Sequence, residues 1–156
     1  MSTESVPTVE LPHTWRPFGT RFAGTIFGGG LFILTIGVWI AFGPETRAKF
    51  TFFQELTMVA MGLLAFSVWF GLMRCRITAT SSGVTIVNGY RRRDYEWSQV
   101  VGMNLRRGAP WAGMDLSDGT SISVIALQSS DGKRATDAVR AIRRLIASQT
   151  RDLPND

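Results

Sequence analysis

FAGTIFGGGLFILTIGVWIAF, residues Phe22–Phe42, runs for 21 consecutive residues without a charge. A helix of about 20 residues crosses a hydrocarbon core roughly 30 Å thick, so this stretch can span a bilayer by itself. A second uncharged run, Leu56–Met73, has 18 residues. It reaches spanning length when Phe52 and Phe53 extend it, with Glu55 near the interface. A signal peptide is the rival reading of the first run, but its apolar region is about 7–15 residues and is followed by a small-residue cleavage site. Ile40-Ala41-Phe42 is not such a site. The sequence therefore predicts a retained transmembrane hairpin over residues 22–73, with spans at 22–42 and 54–73.

Between the runs lies Gly43-Pro44-Glu45-Thr46-Arg47-Ala48-Lys49, in which Gly-Pro breaks the helix. So short a link places both termini on one side. Arg16, Arg21, Arg74 and Arg76 flank the hairpin, against Arg47 and Lys49 in the loop. Positive charge near span ends favours the cytoplasm, so the expected topology is multi-pass in the plasma membrane with both termini cytoplasmic. Gly24 and Gly28 have GxxxG spacing, and Ser67 and Gly71 form a small pair on the second helix. Such residues let helix backbones approach closely, either within one hairpin or between two copies as a homodimer. Neither uncharged run holds an ionisable group of the kind ion and proton pathways use, which argues against a channel or transporter.

From Arg74 the pattern changes to a period of two. Cys75, Ile77 and Ala79 alternate with polar residues, Ser81-Ser82-Gly83 reads as a turn, and Val84–Val87 leads into Asn88-Gly89. That dipeptide is the signature of a type I′ hairpin turn. Tyr90–Trp97 reads as the returning strand, and Met103, Met114 and Val124 mark three more strands separated by Gly108-Ala109-Pro110 and Asp118-Gly119. Six strands joined by short turns make an antiparallel sheet. Lys133–Gln149 then has a helical period with Ala135, Val139, Ile142 and Ile146 on one stripe.

The order of elements, carried by Ser82-Gly83-Val84-Thr85-Ile86-Val87-Asn88-Gly89, Tyr95-Glu96-Trp97-Ser98-Gln99-Val100, Leu116-Ser117-Asp118-Gly119 and Ile125-Ala126-Leu127, resembles the pleckstrin-homology (PH) superfold. More narrowly it is similar to bacterial PH-like domains of the low-molecular-weight antigen 6 type, in which a few transmembrane helices precede the domain. The resemblance implies a membrane α-helical hairpin followed by a PH-like bent antiparallel β-barrel with a C-terminal amphipathic helix. The resemblance covers roughly Arg74–Ser148; with the charge and polarity of the flanks, the expected division is a cytoplasmic tail at 1–21, the PH-like domain at 74–149 and a polar, disordered tail at 150–156. PH barrels have seven strands, so the resemblance leaves open either a short strand near Arg106–Trp111 or an incomplete barrel.

No catalytic constellation is visible. A lone His13 and a lone Cys75 assemble no triad or His-based metal site, and Gly28-Gly29-Gly30 lacks the Lys-Ser or Lys-Thr of a phosphate loop. The expectation is no enzyme activity, no cofactor and no metal. Residues 74–156 carry 13 Lys and Arg against 8 Asp and Glu, while residues 1–73 carry 4 and 4. The basic excess therefore belongs wholly to the domain. Arg91, Arg92 and Arg93 are candidates for an anionic lipid headgroup, although alternation sends Arg92 to the face opposite the other two. Trp111, Arg106 and Arg107 are candidates for a protein partner. No nucleic-acid-binding pattern appears. The expected function is a membrane-anchored, protein-binding or scaffolding module, with headgroup binding or service as a helper subunit of a membrane complex as alternatives.

Overall fold

The computed structural model describes residues 10–151 of the chain. Two compact units emerge: residues 18–74, and a second unit built from the segments on either side of them. Of the disordered tail expected at 150–156, residues 152–156 lie outside the described residues, as do residues 1–9, while residues 150 and 151 end the last helix.

The first unit is a helical hairpin of α1 (Gly19–Ala41), a single turn α2 (Pro44–Arg47) and α3 (Phe52–Arg74). Both long helices extend a little beyond the uncharged runs. Pro44 opens α2, where its missing N–H costs nothing. Arg47 reaches back to the end of α1 and donates from Nε to the Trp39 carbonyl at 3.1 Å and from Nη2 to the Ile40 carbonyl at 2.7 Å. These bonds satisfy carbonyls that a helix end leaves without partners. Thr51 and Gln54 bond reciprocally at the start of α3, in the manner of a capping box. Within the hairpin a Cβ added at Gly24 or Gly28 would lie 3.5 or 3.7 Å from Trp69 Cδ1. The glycine face of α1 thus receives an indole from α3, and among the described residues of α3 Gly71 is buried.

Among the described residues the second unit holds seven antiparallel strands and a C-terminal helix. The first sheet has the order β1 (His13–Trp15), β2 (Arg76–Ala79), β3 (Gly83–Asn88), β4 (Arg91–Glu96). The second has the order β5 (Val100–Asn104), β6 (Trp111–Leu116), β7 (Ser121–Gln128). A 3₁₀ turn at Trp97–Gln99 carries the chain from one sheet to the other. Helix α4 (Lys133–Arg151) lays Ala138, Val139, Ile142 and Ile146 on a core that includes Ile77, Ile86, Trp97, Met114 and Val124. Trp97 is buried beside Val84 and Ile86, and its Nε1 donates to the Thr80 carbonyl at 3.0 Å.

Four sequence expectations are corrected here. The seventh strand is His13–Trp15, from the segment read as a tail, and it pairs with β2 through His13↔Ala79 and Trp15↔Ile77. No strand forms between Arg106 and Pro110, where Ala109 N–H closes a turn on the Arg106 carbonyl and Gly108 takes φ +86°. The expected barrel is two sheets rather than one closed cylinder. Part of the missing ladder is replaced by a side chain. Asn88 Nδ2 donates to the Ser123 carbonyl at 2.6 Å, and Asn88 Oδ1 accepts from the Ile125 N–H at 3.1 Å. The β3–β4 turn also differs: Asn88 ends β3, opposite Arg91, and the loop is Gly89-Tyr90 with positive φ at Gly89 alone.

The hairpin of helices interrupts this unit between two paired strands. Three residues join β1 to α1, and Cys75 alone joins α3 to β2. The Cys75 thiol is buried and accepts a hydrogen bond from the Gly89 N–H at 3.2 Å.

Candidate functional site

Alternation along β4 puts Arg91 and Arg93 on one face and Arg92 on the other. Across the β3 pairing, Arg91 stands opposite Asn88 and Arg93 opposite Ile86. These four residues share the inner face of the first sheet, beyond the point where the two sheets part. Ser121, Ile122 and Ser123 of β7 form the other wall, enclosing an open groove of about 270 Å³. Asn88 is the hinge of this arrangement, since its carboxamide occupies the edge of β7 immediately beside the groove.

Electrostatics separate the three arginines. Arg92 forms an ion pair with Asp94 at 3.1 Å on the opposite face. The Arg92 guanidinium, and after it the Thr85 hydroxyl, hold the Asp94 carboxyl below its ordinary 3.8. Arg91 and Arg93 are exposed, and neither guanidinium has a hydrogen-bond or acidic partner among the described residues.

The expected protein-contact residues gather elsewhere. Arg106 and Arg107 are exposed on the β5–β6 connection, and Trp111, which opens β6, is 41% exposed. Val101 on β5 is 64% exposed. Trp111 pairs with Gln128, at the far end of β7 from Ser121–Ser123. Five residues of strand separate Gln128 from Ser123, roughly 16 Å, so the loop and the groove are distinct places. On α4, Arg140 pairs with Asp137, and Arg143 Nε donates to the Met103 carbonyl of β5. Those two arginines therefore serve the fold. Among the described residues no three His, Cys, Asp or Glu side chains gather as a metal site.

Sequence reasoning missed the β7 wall. Ser121 and Ser123 carry no motif, and only the long-range pairing brings them to Arg91 and Arg93.

Residues 74–145 match the bacterial PH domain family. An uncharacterized protein of Mycobacterium bovis and two from Mycobacterium tuberculosis strains are each 35% identical to the chain over 147 residues, covering 91% of it and 90% of each relative. The domain at residues 74–145 belongs to the bacterial PH domain family. Similarity at that coverage takes in the helical hairpin as well as the PH domain. No solved structure matches the chain. The matched residues hold β2–β7 and most of α4, while β1 precedes the hairpin and lies before the match.

Proposed function

We propose that this protein is a non-enzymatic interaction module, held at the cytoplasmic face of the plasma membrane by its helical hairpin, that docks another protein. The strand and turn pattern shared with the low-molecular-weight antigen 6 type fits the same reading. One observation carries it: the hairpin enters and leaves the PH domain through neighbouring strands, β1 and β2. Residues 16–18 and Cys75 are the two short connections between hairpin and domain.

The surface of the hairpin supports insertion. Apolar side chains project all round α1 and α3, with Phe27, Ile33, Phe53 and Leu64 each more than 60% exposed. A buried core helix would hide these groups, and water would penalise them by about 25 cal/mol per Å². Hydrocarbon accommodates them. Thr35 and Thr57 turn their hydroxyls back onto the Leu31 and Phe53 carbonyls, which satisfies those two donors inside the helices. The cationic flanks, Arg16, Arg21, Arg74 and Arg76, favour the cytoplasmic side.

The protein-docking surface is the β5–β6 loop. Trp and Arg are enriched at the energetic centres of interfaces, and Trp111, Arg106 and Arg107 stand exposed on and beside that loop.

A cysteine at Ser117, in a chain carrying Cys75→Ser, tests the topology. The protein should stay in the membrane pellet at alkaline pH. In intact cells the new thiol should resist an impermeant reagent, and after permeabilisation it should react. Release at alkaline pH overturns the anchoring, and labelling in intact cells reverses the topology.

A further inference from the structure

We infer that the β5–β6 loop receives an acidic segment of another protein, one that also carries an apolar side chain. Arg106 and Arg107 take its carboxylates and Trp111 its apolar group. The inference rests on the docking role given to this loop above and adds the chemistry of what docks.

Charge is the first argument. Residues 97–114 contain no Asp or Glu, so the loop has no acidic neighbour along the chain. The first acid beyond it, Asp115 of β6, accepts from Asn104 Nδ2 at 2.8 Å. Among the described residues neither the Arg106 nor the Arg107 guanidinium makes a hydrogen bond or an ion pair. Elsewhere the fold uses its arginines: Arg92 pairs with Asp94, Arg140 with Asp137, and Arg143 bonds the Met103 carbonyl. Guanidinium groups bind carboxylates through paired, charge-assisted hydrogen bonds, and two adjacent ones stand unused here.

The backbone of the loop is already set. Ala109 N–H bonds the Arg106 carbonyl at 3.0 Å, Gly108 takes φ +86°, and no non-glycine residue among the described ones has a positive φ. That combination is a type II turn with Arg107 second and Gly108 third. At the base of the loop the Pro110 carbonyl accepts from the Ser129 N–H at 3.0 Å and from its hydroxyl at 3.2 Å. The next residue, Trp111, pairs with Gln128. A loop fixed in this way does not have to be ordered when a partner arrives.

The same features favour a protein over a nucleic acid. Sequence-independent affinity for a nucleic acid grows with the number of phosphates neutralised, and two arginines neutralise few. A protein segment can also cover the indole of Trp111, which is 41% exposed, and Trp with Arg is the pairing that dominates protein interfaces.

The test titrates the full chain in neutral detergent with a short labelled peptide in which Glu and Asp surround a central Leu. The control peptide has Gln and Asn at the acidic positions. Fluorescence anisotropy should show saturable binding of the acidic peptide alone. Arg106→Gln with Arg107→Gln should weaken it about tenfold or more, as should Trp111→Ala, while Arg91→Gln with Arg93→Gln should not. Arg106→Lys with Arg107→Lys keeps the charge and should give a smaller loss, which is readable even if the glutamine pair folds poorly. An equal loss in the glutamine pairs at 91/93 and 106/107 assigns binding to net charge and overturns the proposal. No binding, equal binding of the two peptides, or tighter binding of a single-stranded oligonucleotide of the same length overturns it too.

Photo-crosslinking in cells, with p-benzoylphenylalanine in place of Ala109, separates this proposal from the docking role itself. A crosslink mapped by mass spectrometry to an acidic segment supports both. A crosslink to a segment without acids leaves the docking role standing and overturns the acidic partner. Failure to crosslink any protein overturns both.

Discussion

Asn88 closes the gap between the two sheets by bonding Ser123, 35 residues away in sequence, at 2.6 Å, while the same carboxamide accepts from Ile125 at 3.1 Å. One side chain thus makes the donor and acceptor bonds of a missing neighbour strand, and it caps an edge that would otherwise invite other chains. Asn88→Asp removes the donor and sets a carboxylate against the Ser123 carbonyl. The expected loss is about 1–3 kcal/mol, read as a lower melting temperature of the full chain. An unchanged melt would show that the bridge contributes nothing.

Gly83 tests close packing of backbones. A Cβ there would lie 2.1 Å from the Tyr95 carbonyl oxygen, and that backbone is held by the β3–β4 ladder. Gly83→Ala should destabilise the PH domain by about 1–3 kcal/mol or more. Gly102→Ala, with nothing within 4 Å of its added Cβ, should leave the melting temperature close to the parent's. Equal melts for the two variants would refute the contact.

Acid sensitivity follows from two exposed carboxylates. Asp94 is held below 3.8 by Arg92 and Thr85, and Asp118 by the Thr120 hydroxyl and N–H. A lowered folded-state pKa adds stability that is present above the unfolded value and lost as pH falls through the folded one. Melting temperatures should therefore be flat from neutrality to about pH 5 and fall below about pH 4. Asp94→Asn with Asp118→Asn should reduce that acid-side slope. A slope identical to the parent's would assign the acid response to other groups.

The inserted hairpin predicts an unusual minimal domain. Trp15 and Ile77 are cross-strand partners, so a short Gly-Ser linker can replace residues 18–74. The joined protein should be soluble and melt cooperatively. A fragment beginning at residue 74 lacks β1, exposes the edge of β2, and should melt lower or aggregate. Equal stability of the two would show that β1 is dispensable.

How much of this was legible beforehand depends on how local each signal is. The charge-free runs that became α1 and α3, the stripe of Val139, Ile142 and Ile146, and the face shared by Arg91 and Arg93 are all set by residues a few positions apart. The Asn-Gly dipeptide was recognised as a turn but placed one residue early, because Asn88 is recruited by β7 and stays in its strand.

The sequence alone determined that two helices long and apolar enough to cross a membrane adjoin a basic antiparallel domain, because length, charge and periodicity are properties of contiguous residues. Tertiary structure decided the rest. A strand of three residues has no detectable period, so His13–Trp15 became β1 only by pairing with β2, where Thr14 meets Thr78 across 64 residues at 2.9 Å. The parting of the sheets and the groove beside Asn88 likewise depend on pairings between distant segments, whose register is a property of the packed core and of no single stretch of the chain.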